Sequence, residues 1–140
     1  MISPFNSYQN NQVITSSPEK ILLMLYDGAI NFSKMAIDLL QREDLAGKGK
    51  YIGKAQAIVT ELMNTLNHEV GKDIAQRLEQ LYLYLIDEFT QANVHNSVQS
   101  LQNAVKVLTI LRDAWAEAVV IARKDRYVGQ PQDVFVRAAG

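Results

Sequence analysis

The feature that most constrains this chain is where its prolines lie. Only Pro4, Pro18 and Pro131 are present, so residues 19–130 contain none. Proline inside a helix removes a hydrogen bond and clashes with the preceding turn. A proline-free stretch of that length, in a chain with seven glycines, predicts long helices. The 140 residues suit one domain, since domains typically run to roughly 100–150. At 48% apolar and 21% charged residues, the composition is that of a folded chain rather than a disordered one.

Apolar periodicity divides the interior into four helices. Ser16-Ser17-Pro18-Glu19 combines a cap, a first-turn proline and an acidic residue at the positive helix end. The first helix then runs to about residue 43, with Ile21, Leu25, Gly28, Phe32, Ala36 and Leu39 on one face. Leu22, Leu23, Tyr26, Ile30 and Ile37 fall off that stripe. A helix apolar over so much of its circumference is either central or covered by something else. Gly47-Lys48-Gly49 reads as a loop before a second helix over about 50–67. Gly71 breaks the pattern before a third over about 72–93, whose Ala75, Leu78, Tyr82, Leu85, Phe89 and Ala92 form a bundle seam. The fourth, about 97–126, carries Val98, Leu101, Val105, Leu108, Trp115, Val119 and Ala122, with Arg112 standing where the next apolar residue belongs.

The expected fold is therefore all-α, an antiparallel up-down-up-down four-helix bundle with an extended N-terminal arm. Residues 1–17 form the arm, 18–128 the bundle and 129–140 a loose tail whose Val134, Phe135 and Val136 could dock. The arm has no charged side chain, yet it carries Phe5, Tyr8, Val13 and Ile14 among its Asn and Gln residues. Such a segment suits an apolar surface better than open water.

Chemistry is sparse. There is no Cys, which removes disulfides, thiol catalysis and thiolate metal sites. The Gly-Lys pairs Gly49-Lys50 and Gly71-Lys72 lack the other residues of a phosphate loop. His68 and His95 lack the Glu three residues earlier that a di-iron bundle uses, since Thr65 and Ala92 stand there. No catalytic residue, cofactor or metal is expected. Asp27 and Arg112 are singled out as structural polar residues, Arg112 either snorkelling to solvent or pairing with a carboxylate of another helix. Fourteen Lys and Arg against fifteen Asp and Glu leave a net charge of -1, which favours neither nucleic acid nor an anionic membrane as main partner. The longest apolar runs, Ile21–Tyr26 and Leu81–Ile86, are far shorter than the ~20 residues of a membrane span. With no basic residue before Lys20, no signal peptide is expected, and the chain is read as soluble and cytoplasmic.

Several motifs together resemble the flagellar secretion chaperone family FliS. Tyr8-Gln9-Asn10-Asn11-Gln12-Val13, Thr15-Ser16-Ser17-Pro18 and Leu23-Met24-Leu25-Tyr26-Asp27-Gly28-Ala29-Ile30 are similar to its N-terminal signature. Leu66-Asn67-x-Glu69-x-Gly71, Ile74-Ala75, Leu81-Tyr82-x-Tyr84, Ala92-Asn93 and Leu111-Arg112-x-x-Trp115 follow in order. The resemblance covers about residues 5–120. Ser16 departs from a common Ala, and Lys72 from a common second Gly, which leaves the turn before the third helix open to local difference.

The resemblance implies a non-enzymatic cytosolic chaperone. It would bind the C-terminal segment of flagellin, block premature polymerisation and deliver its client to the flagellar type III export gate, docking on the cytoplasmic domain of a gate membrane protein. It implies that the arm, with Phe5, Tyr8, Asn11, Val13 and Ile14, covers part of the client surface and takes part in gate docking. Ordering a client segment of about 40 residues costs on the order of 60 kcal/mol at ~1–2 kcal/mol each. Offsetting that takes roughly 2400 Å² of apolar burial at ~25 cal/mol per Å². The client must then lie along several grooves, and Leu22, Leu23, Tyr26, Ile30, Leu83 and Tyr84 are the candidate groove residues. The free protein is expected as a monomer or weak dimer. The alternative is a self-associating structural or adaptor bundle whose grooves bury one another.

Overall fold

The computed structural model describes residues 17–124, which form four helices: α1 (Pro18–Gln41), α2 (Leu45–Asn64), α3 (His68–His95) and α4 (Val98–Lys124). Short connections force neighbours to run antiparallel. Each helix packs on two others: α1 and α3 both lie between α2 and α4. This is the four-helix bundle that the periodicity predicts, wound round one core.

Ser17 is the cap of α1, its Oγ accepting from Lys20 N at 3.4 Å, with Pro18 and Glu19 in the first turn. Because α1 is pressed on by both α2 and α4, it buries an arc made of Leu22, Tyr26, Ala29, Ile30, Ser33, Ala36 and Leu40. The Leu25–Phe32 stripe expected to face inward is only partly buried beside that arc. Ser33 is tolerated there because its Oγ donates to Ala29 O at 2.7 Å, leaving no unmet hydroxyl hydrogen.

Gly47-Lys48-Gly49 is helix, not loop. Asp44 caps α2, its Oδ1 accepting from Gly47 N at 2.9 Å, so the helix starts at Leu45. A Cβ at position 47 would lie 2.6 Å from the Asp44 carboxylate, so the glycine serves close approach of the cap rather than a turn. Lys48 is only 5% exposed. Its Nζ donates to Asn93 O at 3.0 Å and to Asn93 Oδ1 at 3.1 Å, placing a cation near the negative end of α3.

The α3 seam is buried throughout, from Ala75 through Leu78, Tyr82, Leu85 and Phe89 to Ala92. Its first turn is set apart, because Lys72 takes φ 47° and ψ −121°, a conformation that favours glycine. The preceding turn has its own cap, with Asn67 Oδ1 accepting from Glu69 N and Val70 N at 3.1 Å each. In α4 the buried positions are Leu101, Ala104, Leu108, Leu111, Trp115, Ala118, Val119 and Ala122. The inward stripe therefore passes through Leu111, and Arg112 stands beside it instead of interrupting it.

Candidate functional site

Among the described residues, a buried polar constellation joins three helices. Tyr26 of α1 and Tyr82 of α3 share a short hydrogen bond between their hydroxyls, and Trp115 Nε1 of α4 donates to Tyr26 Oη at 3.1 Å. All three are at most 2% exposed. The two hydroxyls and the indole bring three hydrogens to two oxygens, and only one hydroxyl can donate to the other. Burial raises the Tyr26 hydroxyl well above its usual pKa and the Tyr82 hydroxyl to about 12. The group holds α1, α3 and α4 in one register.

At the surface, Arg112 Nε lies 3.0 Å from Asp27 Oδ1, bridging α4 and α1. Both side chains are partly exposed, so the pair orients more than it stabilises. His68 Nε2 lies 3.6 Å from Glu79 Oε2, also half-exposed. Among the described residues no group of His, Cys, Asp or Glu is gathered to hold a metal. No described helix is long and apolar enough to cross a membrane.

What the surface does offer is apolar area, unevenly spread. Of the ten exposed large apolar side chains among the described residues, Val70, Leu81, Leu83, Tyr84 and Val94 belong to α3, and Ile110, Val120 and Ile121 to α4. Asn103 Nδ2 donates to Glu88 Oε2 at 2.7 Å across these two helices. With antiparallel helices rising ~1.5 Å per residue, that bond sets Leu81 level with Ile110. Half-buried Val107 and Ala114 continue the α4 side. The result is a mainly apolar groove between α3 and α4, edged by exposed Arg77 and Glu117. Its polar stop is Glu88, which accepts from both Asn103 and the Tyr84 hydroxyl.

On the other flank of α3 the junction with α2 is bridged by polar contacts. Gln56 Nε2 donates to Thr90 Oγ1 at 3.3 Å, and Lys48 reaches Asn93. Leu83 and Val94 stand exposed beyond that bridge. Where α1 meets α2, Phe32 and Tyr51 pack at 5.8 Å between centroids. Lys54 Nζ lies 5.4 Å from the Phe32 centroid, and Lys50 Nζ lies 5.7 Å from that of Tyr51.

The six groove residues named from sequence therefore divide. Leu83 at 51% and Tyr84 at 42% exposure are available to a partner, and Leu23 is half-buried against the core. Leu22, Tyr26 and Ile30 are inside, because α1 is covered on two sides, so they support a surface without forming one. Phe5, Tyr8, Asn11, Val13 and Ile14 lie outside the described residues. Sequence reasoning missed Leu81, Val107, Ile110 and Ile121 as groove residues. A signal existed: Val107, Ile110, Ala114 and Ile121 recur at helical spacing as a second stripe on α4.

Comparison with known proteins matches residues 1–122 to the family described as flagellar protein FliS. The chain is 34% identical to the flagellar secretion chaperone FliS of Bacillus subtilis (strain 168), over 89% of this chain and 92% of that one. It is 33% identical to the flagellar secretion chaperone FliS of Campylobacter jejuni, over 81% and 88% of the two chains. With the flagellar secretion chaperone FliS of Vibrio cholerae the identity is 35%, over 76% and 78%.

Proposed function

The chain belongs to the FliS family, and from that premise we propose that it is a cytoplasmic export chaperone for flagellin. It binds the C-terminal segment of its client, prevents premature polymerisation and delivers it to the flagellar export gate. The observation that carries this reading is the apolar groove between α3 and α4, with Leu81, Tyr84, Ile110 and Ile121 exposed along it. A free-standing protein seldom leaves a continuous apolar track uncovered without a partner for it. An amphipathic client helix laid in such a groove buries every third or fourth side chain. Leu83 and Val94, on the far flank of α3, extend the track toward α2 and suit a client that wraps rather than plugs.

The internal residues fit the same division of labour. Leu22, Tyr26 and Ile30 hold α1 at the centre, and the Tyr26–Tyr82–Trp115 group fixes the helices whose outer faces receive the client. The uncharged arm, with Phe5, Tyr8, Asn11, Val13 and Ile14, acts as a lid on client-binding surface and as a contact for the gate. Absence of charge spares it the desolvation of ions against apolar surface.

Titration calorimetry of the purified protein with a flagellin C-terminal peptide tests the reading. A 1:1 complex with a strongly negative heat-capacity change is expected, since apolar burial has that signature. Absence of binding would sink it. A concentration-dependent dimer that persists with peptide present would favour the self-associating alternative.

A further inference from the structure

The α3–α4 groove opens at the end of the bundle where α4 stops, and the chain continues there beyond Lys124. We infer that the groove has an internal occupant: the chain's own segment 132–138, with Val134, Phe135 and Val136 laid over Ile121 and Ala114. This segment lies beyond the residues matched to the family model, 1–122. The docking does not depend on the chaperone reading; only its effect on a client does.

Position, residue types and charge all point to this occupant. Gly129 and Pro131 are residue types at which helices end and chains turn. Eight residues, 125–132, separate the end of α4 from the charged and apolar stretch that follows. At ~3.3 Å per extended residue they are ample for a reversal onto the helix just left. The apolar triplet is bounded by Asp133 and Arg137. Read upward from the end of α4, the exposed charges bordering its apolar stripe come as Lys124, then Glu117 and Asp113. A returning segment presents Asp133 first and Arg137 second, the complementary order. The spacings agree as well. Lys124 stands ~10 Å along the helix from Glu117 and ~16 Å from Asp113, while four extended residues carry Asp133 to Arg137 over ~13 Å.

The absence of cysteine makes the test direct. In the full chain, Ala114→Cys is combined with Ala138→Cys and oxidised at low protein concentration. The control combines Ala57→Cys with Ala138→Cys. Ala57 is exposed and on α2, which makes no contact with α4. Docking predicts that the first pair closes within one molecule about tenfold faster than the control or more, through its higher effective concentration. Equal rates overturn the inference, and so does a disulfide-linked dimer as main product, which would give the groove to a second copy. No client is present, so the result is independent of the proposed function. Phe135→Ser then reads the consequence: it should slow closure severalfold and tighten flagellin-peptide binding severalfold. Fast closure of the parent pair supports docking whatever the peptide does, and unchanged peptide affinity would count against the groove as the client's site.

Discussion

The α1–α2 half of the bundle and the α3–α4 half share one core, yet they finish their outer surfaces differently. On the first half, Phe32 and Tyr51 pack together under Lys50 and Lys54, and only Met35 and Leu45 are large apolar residues left exposed. Lysine stems cover apolar area while their charges stay in water. On the second half, eight large apolar side chains remain exposed, and polar atoms meet chiefly at Glu88. Both halves bury their seams equally well. The difference teaches that a bundle can be complete inside and still unfinished outside, and that the unfinished side is where a partner is to be sought.

Four experiments would break or sharpen that contrast. The largest effect should come from the core both halves share. Trp115→Ala is expected to cost about 3–5 kcal/mol, as truncating a buried aromatic does. Denaturant unfolding with hydrogen exchange should lose protection in all four helices together. Loss confined to α3 and α4 would mean that the halves are separate units.

Next comes the surface itself. Leu81→Asp together with Ile110→Asp should weaken flagellin-peptide binding about 100-fold, since each lost apolar contact is worth roughly 1.5–3 kcal/mol. Thermal unfolding should move little, because both positions are exposed. Met35→Asp with Leu45→Asp should leave affinity within about twofold. Equal losses from the two pairs would erase the distinction between the halves.

The polar group binding the halves together gives a pH signature. Burial raises the Tyr82 pKa to about 12, against the usual 10.0 in an unfolded chain. Below pH 10 both states keep the proton, and stability is flat in this term. Between pH 10 and 12 the unfolded chain loses it first, so stability falls by up to ~1.4 kcal/mol per pH unit. Tyr26, also raised by burial, adds to the fall. Unfolding curves at pH 9 and 11 should show a smaller difference in Tyr82→Phe than in the parent.

The smallest effect concerns the break in α3. Lys72 holds φ 47°, so Lys72→Gly relieves strain and should stabilise by about 1 kcal/mol. Glycine's greater freedom when unfolded offsets part of the gain. A loss in midpoint denaturant concentration would show that the turn is not strained.

Much of the bundle is legible in the residue pattern. The α3 seam can be read residue by residue, because a helix covered on one stripe obeys its period strictly. α1 is harder. Its apolar residues cover most of its surface, and periodicity alone does not say which of Tyr26 and Leu25 faces inward when two neighbours press on it. The start of α2 was hidden for another reason: glycines in Gly47-Lys48-Gly49 suggest a loop, and nothing local reveals that Asp44 caps a helix there or that Lys48 reaches Asn93. The groove was half legible. Leu83 and Tyr84 stand out from the α3 seam, whereas Ile110 and Ile121 become part of a track only when α3 is laid beside α4.

The sequence by itself determined that there are four helices and which stripe α3 buries, because hydrophobic period and helix breakers act within a few residues of one another, with proline confined to positions 4, 18 and 131. Only the tertiary structure decided that Tyr26 belongs to the core and Ile110 to the surface. Two large side chains differ in exposure by which helices come to lie against them, and that is set by contacts between residues such as Tyr26 and Trp115, 89 positions apart.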